Sequence, residues 1–166
     1  MNTVRLLALM LVIALPMWFG SCKKDGTEAV MPTNTSVEGN YKVSAIKVDP
    51  KIEGFDDILP LYSLLLGNTC LTDITISFKS NGTITTDYPP SCQSAGDDIS
   101  DATGIDSDSK WALNGSKLTI TDENGTQTAY DATFNGGNMQ LKWQEDDGDA
   151  SGKTFKQTYI MELKRL

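Results

Sequence analysis

The sequence contains no histidine and few basic residues, and both shortages exclude whole classes of function. Without histidine there is no Ser-His-Asp or Cys-His catalytic arrangement and no imidazole ligand for a metal ion. The 14 Lys and Arg residues are outnumbered by 22 Asp and Glu residues, and the isoelectric point is about 4.4. A nucleic-acid binder needs clustered cations to neutralise phosphates, so we expect no nucleic-acid partner.

Long apolar runs are also scarce, and the run near the N-terminus is too short to cross a membrane. Leu6–Phe19 has 14 apolar residues, whereas a spanning helix needs about 20. With Arg5 before it, the run is typical of a signal peptide. Gly20-Ser21-Cys22 then resembles the lipobox of bacterial lipoproteins, which implies cleavage before Cys22 and lipidation of its sulfur and amine. An ordinary secretory signal with a chance cysteine is the alternative.

The residues after Cys22 indicate where the chain is sent. Lys23, in place of Asp, resembles the outer-membrane sorting signal of Gram-negative bacteria. We therefore expect an exported outer-membrane lipoprotein on the periplasmic or the surface face. Its lipid anchor would attach it to the membrane. The predicted organisation is a signal peptide at 1–21, a flexible polar tether at 22–37 and one folded domain at 38–166.

The three cysteines divide unevenly between lipid and fold. With Cys22 assigned to lipid, Cys70 and Cys92 remain as a pair in an oxidising compartment. We predict a disulfide between them, which closes a loop of about 23 residues and stabilises the fold by about 3 kcal/mol. Two free buried thiols are the alternative. Spacing and ligand number exclude a zinc site.

From Gly39 onward the apolar residues recur with period two. Eight such segments are separated by turn residues, among them Asn114-Gly115 and Asn135-Gly136-Gly137. The alternation slips between Ala45 and Ile46, which predicts a bulge. Sequential strands with short turns predict an all-β, eight-stranded antiparallel up-and-down barrel, because closure removes both sheet edges. A two-sheet sandwich, which needs longer crossovers, is the alternative fold.

Two segments interrupt the strand pattern. At 56–67 the apolar residues Ile58, Leu61, Tyr62 and Leu65 share one helical face, which predicts one short helix between strands 1 and 2. At 94–109 the sequence is acidic and rich in Ser and Gly, which favours a solvated, mobile loop. The loop contains five carboxylates: Asp97, Asp98, Asp101, Asp106 and Asp108.

Three motifs resemble the lipocalin-like domains of bacterial lipoproteins, in the calycin group of barrels. They are Glu38–Val43, Ile76–Thr83 and Trp111–Ile120, and with Cys70 and Cys92 they span 38–165. Tyr41 stands where lipocalins carry Trp. In that family the aromatic residue closes the barrel base beneath an Arg of the last strand, so the resemblance implies this role for Tyr41 and Arg165. It also implies a barrel able to enclose an apolar ligand.

Several strand positions whose alternation predicts a side chain facing the barrel interior carry amphipathic residues. This favours a ligand cavity over a purely apolar core. The candidate lining residues are Tyr88, Thr128, Tyr130, Trp143, Gln157 and Tyr159. An enclosed ligand site predicts a cavity of about 300 Å³ or more. A filled barrel is the alternative, and an error of one residue in parity would reverse the assignment of any strand.

Other site chemistries have weak support. Asp147–Gly152 matches the first half of an EF-hand loop, but Thr158 stands where the bidentate Glu belongs, so we expect an acidic hairpin tip and no metal. No paired carboxylates lie in an apolar setting and no serine lies in a nucleophile elbow, so we predict no enzyme and no cofactor. The leading hypothesis is a binder of a small apolar or amphipathic ligand. The alternative is a protein-interaction module that uses the helix 56–67 and the acidic loop 94–109 to contact an envelope protein.

Overall fold

The computed structural model describes residues 36–148 and 152–166, without the side chains of Asp98 and Asp101. Strands dominate, and helical segments occupy two of the connections. In chain order the elements are β1 Gly39–Ile52, β2 Phe55–Asp57, α1 Leu59–Leu66, α2 Cys70–Asp73, β3 Thr75–Phe78, β4 Ile84–Asp87, a 3₁₀ helix Pro90–Ala95, α3 Gly96–Thr103, β5 Lys110–Asn114, β6 Lys117–Thr121, β7 Gln127–Asn135, β8 Asn138–Gly148 and β9 Thr154–Arg165.

Eight of the strands form one antiparallel sheet in the order β4-β3-β1-β9-β8-β7-β6-β5, and the short β2 pairs only with β1. Apart from this β2 hairpin, strands adjacent in the sheet are consecutive in the chain, or are β1 and β9. This is the up-and-down arrangement that the sequence predicts, and it excludes the sandwich, which requires crossovers between two sheets.

The sheet curls until its two outer strands meet. The amide of Ile84 in β4 donates to the carbonyl of Ser109 at 2.7 Å, and Ile84 accepts from Asp108 at 3.0 Å. Next to this, the amide of Trp111 donates to Gly82 at 2.8 Å. Because these bonds satisfy groups that an open sheet would leave unpaired, they nearly close the barrel.

A bulge lets the long strand β1 follow the curve of the barrel. Its register against β9 shifts between Val43 and Ala45, next to the predicted slip, so that Ala45 and Ile46 are both buried. The inward residues of the other strands fill the barrel interior. They include Ile76, Phe78, Leu118, Ile120, Met139, Leu141, Met161 and Leu163, all at most 2% exposed.

The helix predicted at 56–67 begins later than expected. Asp57 belongs to β2, and its carboxylate accepts the amides of Ile46 at 3.1 Å and Leu59 at 3.0 Å. Asp57 therefore ties the helix start to β1, and α1 begins at Leu59 with Pro60 in its first turn. The sequence predicts one helix in this connection, and the structure has two, because the short α2 lies between α1 and β3.

The prediction of a solvated loop at 94–109 is wrong over most of that segment. The 3₁₀ helix and α3 occupy it, and Ile99 and Ile105 are fully buried in the barrel core. These two isoleucines supply the apolar anchor that the acidic composition obscured. The side chains of Asp98 and Asp101 lie outside the described residues. Within the described part of the chain, no helix has the length and hydropathy to span a bilayer.

Candidate ligand site at the barrel mouth

One aromatic group closes the barrel at the start of β1, and we call it the base cluster: Tyr41, Phe78, Trp111 and Arg165. Tyr41 is fully buried and packs edge-on against Phe78 with ring centroids 5.8 Å apart. Phe78 in turn contacts Trp111 at 6.2 Å. The Arg165 guanidinium lies 5.6 Å from the Tyr41 ring centroid and donates to the Glu38 carbonyl. The structure thus brings together the two residues that the resemblance assigns to barrel closure.

A second aromatic group lies further along the strands, and we call it the mouth cluster: Tyr130, Trp143 and Tyr159. Trp143 and Tyr159 are directly opposite on β8 and β9, and their rings stack at 5.1 Å with 14° between the planes. Tyr130 meets Trp143 edge-on at 5.5 Å. Tyr159 pairs with Val48, seven residues beyond Tyr41 on β1. At about 3.3 Å per residue, the two clusters are about 20 Å apart along the strand.

The mouth cluster sits in an acidic and partly desolvated setting. The Trp143 indole donates to the Glu145 carboxylate at 2.9 Å. Burial raises the pKa of Tyr130 to about 12, with a further contribution from the charge of Glu145 and an opposing hydrogen bond with Thr128. Burial also raises the pKa of Tyr159, as do the charges of Glu145 and Asp147. All three mouth rings therefore keep their polar hydrogens at neutral pH.

Helical segments flank the mouth cluster on two sides. Gly104 caps α3 with a left-handed φ of 65°, and a Cβ there would lie 2.7 Å from the Tyr130 hydroxyl. Between them is a cleft of about 110 Å³, lined also by Thr103, Thr128 and Glu145. On the other side, Tyr62 of α1 lies close enough to Tyr159 to contribute to its raised pKa. The helix α1 and the end of β1 enclose a more apolar cleft of about 180 Å³. Its lining residues are Ile52, Ile58, Leu61, Tyr62 and Leu65.

None of the five best-formed clefts among the described residues is the large enclosed cavity expected of a ligand-holding barrel. Five clefts have volumes of about 110 to 270 Å³. The largest of the five is lined by outward-facing residues of β6, β7 and β8, including Lys117, Asp131 and Lys142, and also by Trp143. The interior is instead filled by branched and sulfur-containing side chains such as Leu141 and Met161. The clefts therefore lie outside the filled core, and one of about 110 Å³ adjoins the mouth cluster.

The six predicted lining residues separate into two sets. Tyr130, Trp143 and Tyr159 form the mouth cluster, and Thr128 lines the cleft beside it. Gln157 is buried, but its amide donates to the carbonyl of Pro50 at 2.7 Å, which satisfies it within the protein. Tyr88 lies at the start of α3, where a Cβ on Gly96 would meet its ring at 3.8 Å.

Sequence reasoning missed three contributors to the mouth: Glu145, Gly104 and Tyr62. Glu145 follows Trp143 by two residues, so the inward parity of β8 was an available signal. Gly104 has no such signal, because the composition of 94–109 predicts a loop where the structure has α3. Tyr62 is predicted to lie on the apolar face of a helix, and nothing in the sequence places that helix beside the mouth.

Cys70 and Cys92 form the predicted disulfide, which joins α2 to the 3₁₀ helix. The predicted lipidation residue Cys22, the signal peptide and the tether as far as residue 35 lie outside the described residues. So do residues 149–151 of the EF-hand-like segment. Among the residues that are described, no three Cys, Asp or Glu side chains converge in a way that would hold a metal ion.

Comparison with known proteins agrees with this architecture. A family model described as a lipocalin-like domain matches residues 37–141, from two residues before β1 into the first half of β8. Neither the curated proteins nor the solved structures give a match to the chain. The matched range covers more than half of the sequence and contains the base cluster residues Tyr41, Phe78 and Trp111. The chain therefore belongs to the lipocalin-like domain family, whose barrel is a ligand-binding fold.

Proposed function

We propose that this protein is a lipid-anchored envelope lipoprotein that binds a small amphipathic ligand at the barrel mouth, without catalysis. The observation that carries the proposal is the stacked pair of Trp143 and Tyr159, both partly buried, of which Trp143 also lines the cleft beside Gly104. Stacked aromatic rings with polar edges suit a ligand that has an apolar body and a polar handle. Glu145 and the Tyr130 hydroxyl supply the polar partners.

The size of the clefts limits the ligand. An apolar cavity of about 150 Å³ can hold a single benzene ring, and the cleft under α1 measures about 180 Å³. A single ring or a short acyl segment therefore fits there, while the rest of the molecule extends toward the mouth cluster. A ligand that needs complete enclosure does not suit this site, since small-molecule pockets usually reach about 300–1,000 Å³.

The lipid anchor is supported by the sequence from Leu6 to Cys22. An apolar run too short to span a bilayer is followed directly by Gly20-Ser21-Cys22. We further propose sorting to the outer membrane of a Gram-negative bacterium, because Lys23 stands in place of the Asp that retains lipoproteins elsewhere. Replacing Cys22→Ser should release the chain from the membrane fraction of its host. Unchanged membrane association, or a Cys22 peptide without acyl mass, would overturn the anchor.

The ligand is tested by native mass spectrometry of the full chain purified from its own host. We expect a co-purifying mass that is lost on denaturation, and that is reduced when Trp143 is replaced by Leu. A matched control is Trp111→Leu, because Trp111 is also half-buried but lies in the base cluster. No bound mass, or equal loss in the two variants, would contradict a ligand site at the mouth.

A protein-interaction module remains the second candidate function, and one observation favours it. Leu64 and Leu65 of α1 are 77% and 73% exposed, which is unusual for leucine in a soluble domain. The interaction surface predicted from the sequence also includes the acidic segment 94–109. Ile99 and Ile105 of that segment instead face the barrel core, and Gly104 packs on Tyr130. This leaves the leucines of α1 as the surface to be explained.

A further inference from the structure

The helix α1 presents apolar side chains to solvent with no charge to interrupt them. Its sequence, Leu59–Leu66, contains one Pro, one Tyr and one Ser, and every other residue is Leu. Leu59 is buried against the barrel, whereas Leu64 and Leu65 on the outer side are 77% and 73% exposed. Exposed leucines in adjacent positions cost solubility and carry no structural benefit within this domain, so they call for a partner.

The exposed leucines continue into a wider apolar strip. Leu65 shares the 180 Å³ cleft with Leu61 and Ile52. Ile52 is directly opposite Phe55 in the β1-β2 pair, so the two side chains lie on the same face of that hairpin. Phe55 is 49% exposed. We define the strip by these five residues: Ile52, Phe55, Leu61, Leu64 and Leu65.

The size of the strip argues against a stable protein partner. A stable protein interface buries about 800 Å² on each partner. A fully buried aromatic side chain contributes about 150–250 Å² and a leucine less, and the strip offers three strongly exposed side chains. A lipid surface has no such threshold, because each inserted side chain adds its own transfer free energy and a lipid anchor on the same chain raises the local concentration.

The length of chain before the barrel allows the strip to reach the membrane. The barrel begins at the base end, where the Tyr41 hydroxyl donates to the Ser36 carbonyl. The 13 residues 23–35 span at most about 45 Å when extended. The 14 residues of β1 rise about 46 Å along the strand, and strand tilt makes the barrel shorter than that. A chain anchored at Cys22 can therefore lay α1 on the same membrane.

The charges around the strip select the kind of lipid. Glu53 and Asp56 are exposed beside Phe55, and Asp56 forms an ion pair with the exposed Lys51 at 3.4 Å. This acidic rim disfavours an anionic lipid surface. We propose that α1 docks on a zwitterionic membrane surface and inserts Leu64 and Leu65 into its interfacial layer. The proposal rests on the lipid anchor of the proposed function only for bringing the chain to the membrane.

The test places a reporter at the strip in the full chain. Leu64→Trp keeps the position apolar, and Thr133→Trp on the outer face of β7 is the matched exposed control. Each variant is reconstituted into phosphatidylcholine vesicles that carry bromine near the top of the acyl chains. Flotation then isolates the vesicle-bound chain, so that only protein already on the membrane is measured.

We expect the added Trp at position 64 to emit at shorter wavelength than the one at position 133 and to be quenched about twofold more, since interfacial helices bury their apolar face by about 5–10 Å. Adding Leu65→Asp should remove the difference. Equal quenching at the two positions would overturn the proposal. A blue shift at position 64 that grows with protein concentration in the absence of lipid would also overturn it, and would assign the strip to a second copy of the chain.

The lipid anchor at Cys22 and the docking of α1 on the membrane can be rejected independently of each other. The mass of the Cys22 peptide reports acylation, whereas quenching at position 64 reports insertion of α1 in any chain held at the vesicle. An unmodified Cys22 with quenching at position 64 would reject the anchor and keep the docking surface. An acylated Cys22 without quenching at position 64 would keep the anchor and reject the docking surface.

Discussion

The base cluster and the mouth cluster use the same kinds of side chain in opposite ways. At the base, Tyr41 is fully buried among Phe78, Trp111 and Arg165, and the strands themselves close around it. At the mouth, Trp143 and Tyr159 stack on the paired strands β8 and β9, and both are only partly buried. Two clefts adjoin the mouth cluster and its flanking helix. The difference indicates that the base stabilises the barrel and that the mouth is left available for contacts.

The first prediction compares the two clusters by truncation. Tyr41→Ala should lower the free energy of unfolding by about 3–5 kcal/mol, because a fully buried aromatic side chain is replaced by a cavity. Trp143→Ala should cost only about 1–2 kcal/mol, because Trp143 is only partly buried and its truncation leaves a site open to water. Urea unfolding of the full chain measures both. Equal losses would remove the distinction between the two ends.

The second prediction concerns the disulfide, which ties together α2 and the 3₁₀ helix of the two helical connections. Replacing Cys70 and Cys92 together by Ser should lower the free energy of unfolding by about 3 kcal/mol. Hydrogen exchange should rise first in α1 and α3 and only later in β1 and β9. A reductant should lower the free energy of unfolding of the parent chain and leave that of the double variant unchanged. An equal change in both chains would contradict the disulfide.

The third prediction uses the buried hydroxyl of Tyr130 at the mouth. Its pKa is raised from 10 to about 12, so the unfolded chain loses this proton first as pH rises. The stabilising contribution is complete below pH 10 and is lost between pH 10 and about 12, by about 2–3 kcal/mol. Tyr130→Phe should flatten that part of the stability profile. Tyr41 and Tyr159 also have raised pKa values, so a smaller decline should persist. Identical profiles for parent and variant would refute the assignment.

The fourth prediction tests the contact between α3 and the mouth cluster. Gly104→Ala adds a Cβ 2.7 Å from the Tyr130 hydroxyl at a φ of 65°, and should cost about 1–2 kcal/mol. Gly115→Ala is the control for backbone strain alone, because its φ is 62° and its Cβ would meet nothing within 4 Å. Tyr130→Phe should recover about 0.5–1 kcal/mol from Gly104→Ala and nothing from Gly115→Ala. Recovery in both would show that the two residues do not interact as described.

The strand pattern predicted the barrel because its information is local. Period-two alternation and Asn-Gly turns fixed eight strands and their order, and the phase slip at Ala45 and Ile46 marked the bulge. The disulfide could be predicted for a different reason. In the oxidising compartment that the sequence predicts, Cys70 and Cys92 are the two cysteines that remain once Cys22 is assigned to lipid.

The mouth was less predictable because its geometry depends on contacts between distant segments. Composition marked 94–109 as a loop, although two buried isoleucines, Ile99 and Ile105, anchor it to the core. Inward parity identified Tyr130, Trp143 and Tyr159, but parity alone does not state whether an interior is open or filled. Gln157 illustrates the limit, because its partner is the backbone of Pro50, which is 107 residues away in the chain.

We propose that the mouth cluster binds the ligand and that the base cluster stabilises the barrel. This proposal is tested most directly by titrating the full chain with a fluorescent fatty acid in three forms: parent, Trp143→Leu and Trp111→Leu. We expect Trp143→Leu to weaken binding by about tenfold, because the stacked pair of rings is lost. We expect Trp111→Leu to change the affinity by less than about twofold, whatever its effect on stability. Equal weakening in both variants, or weakening only in Trp111→Leu, would contradict a ligand site at the mouth.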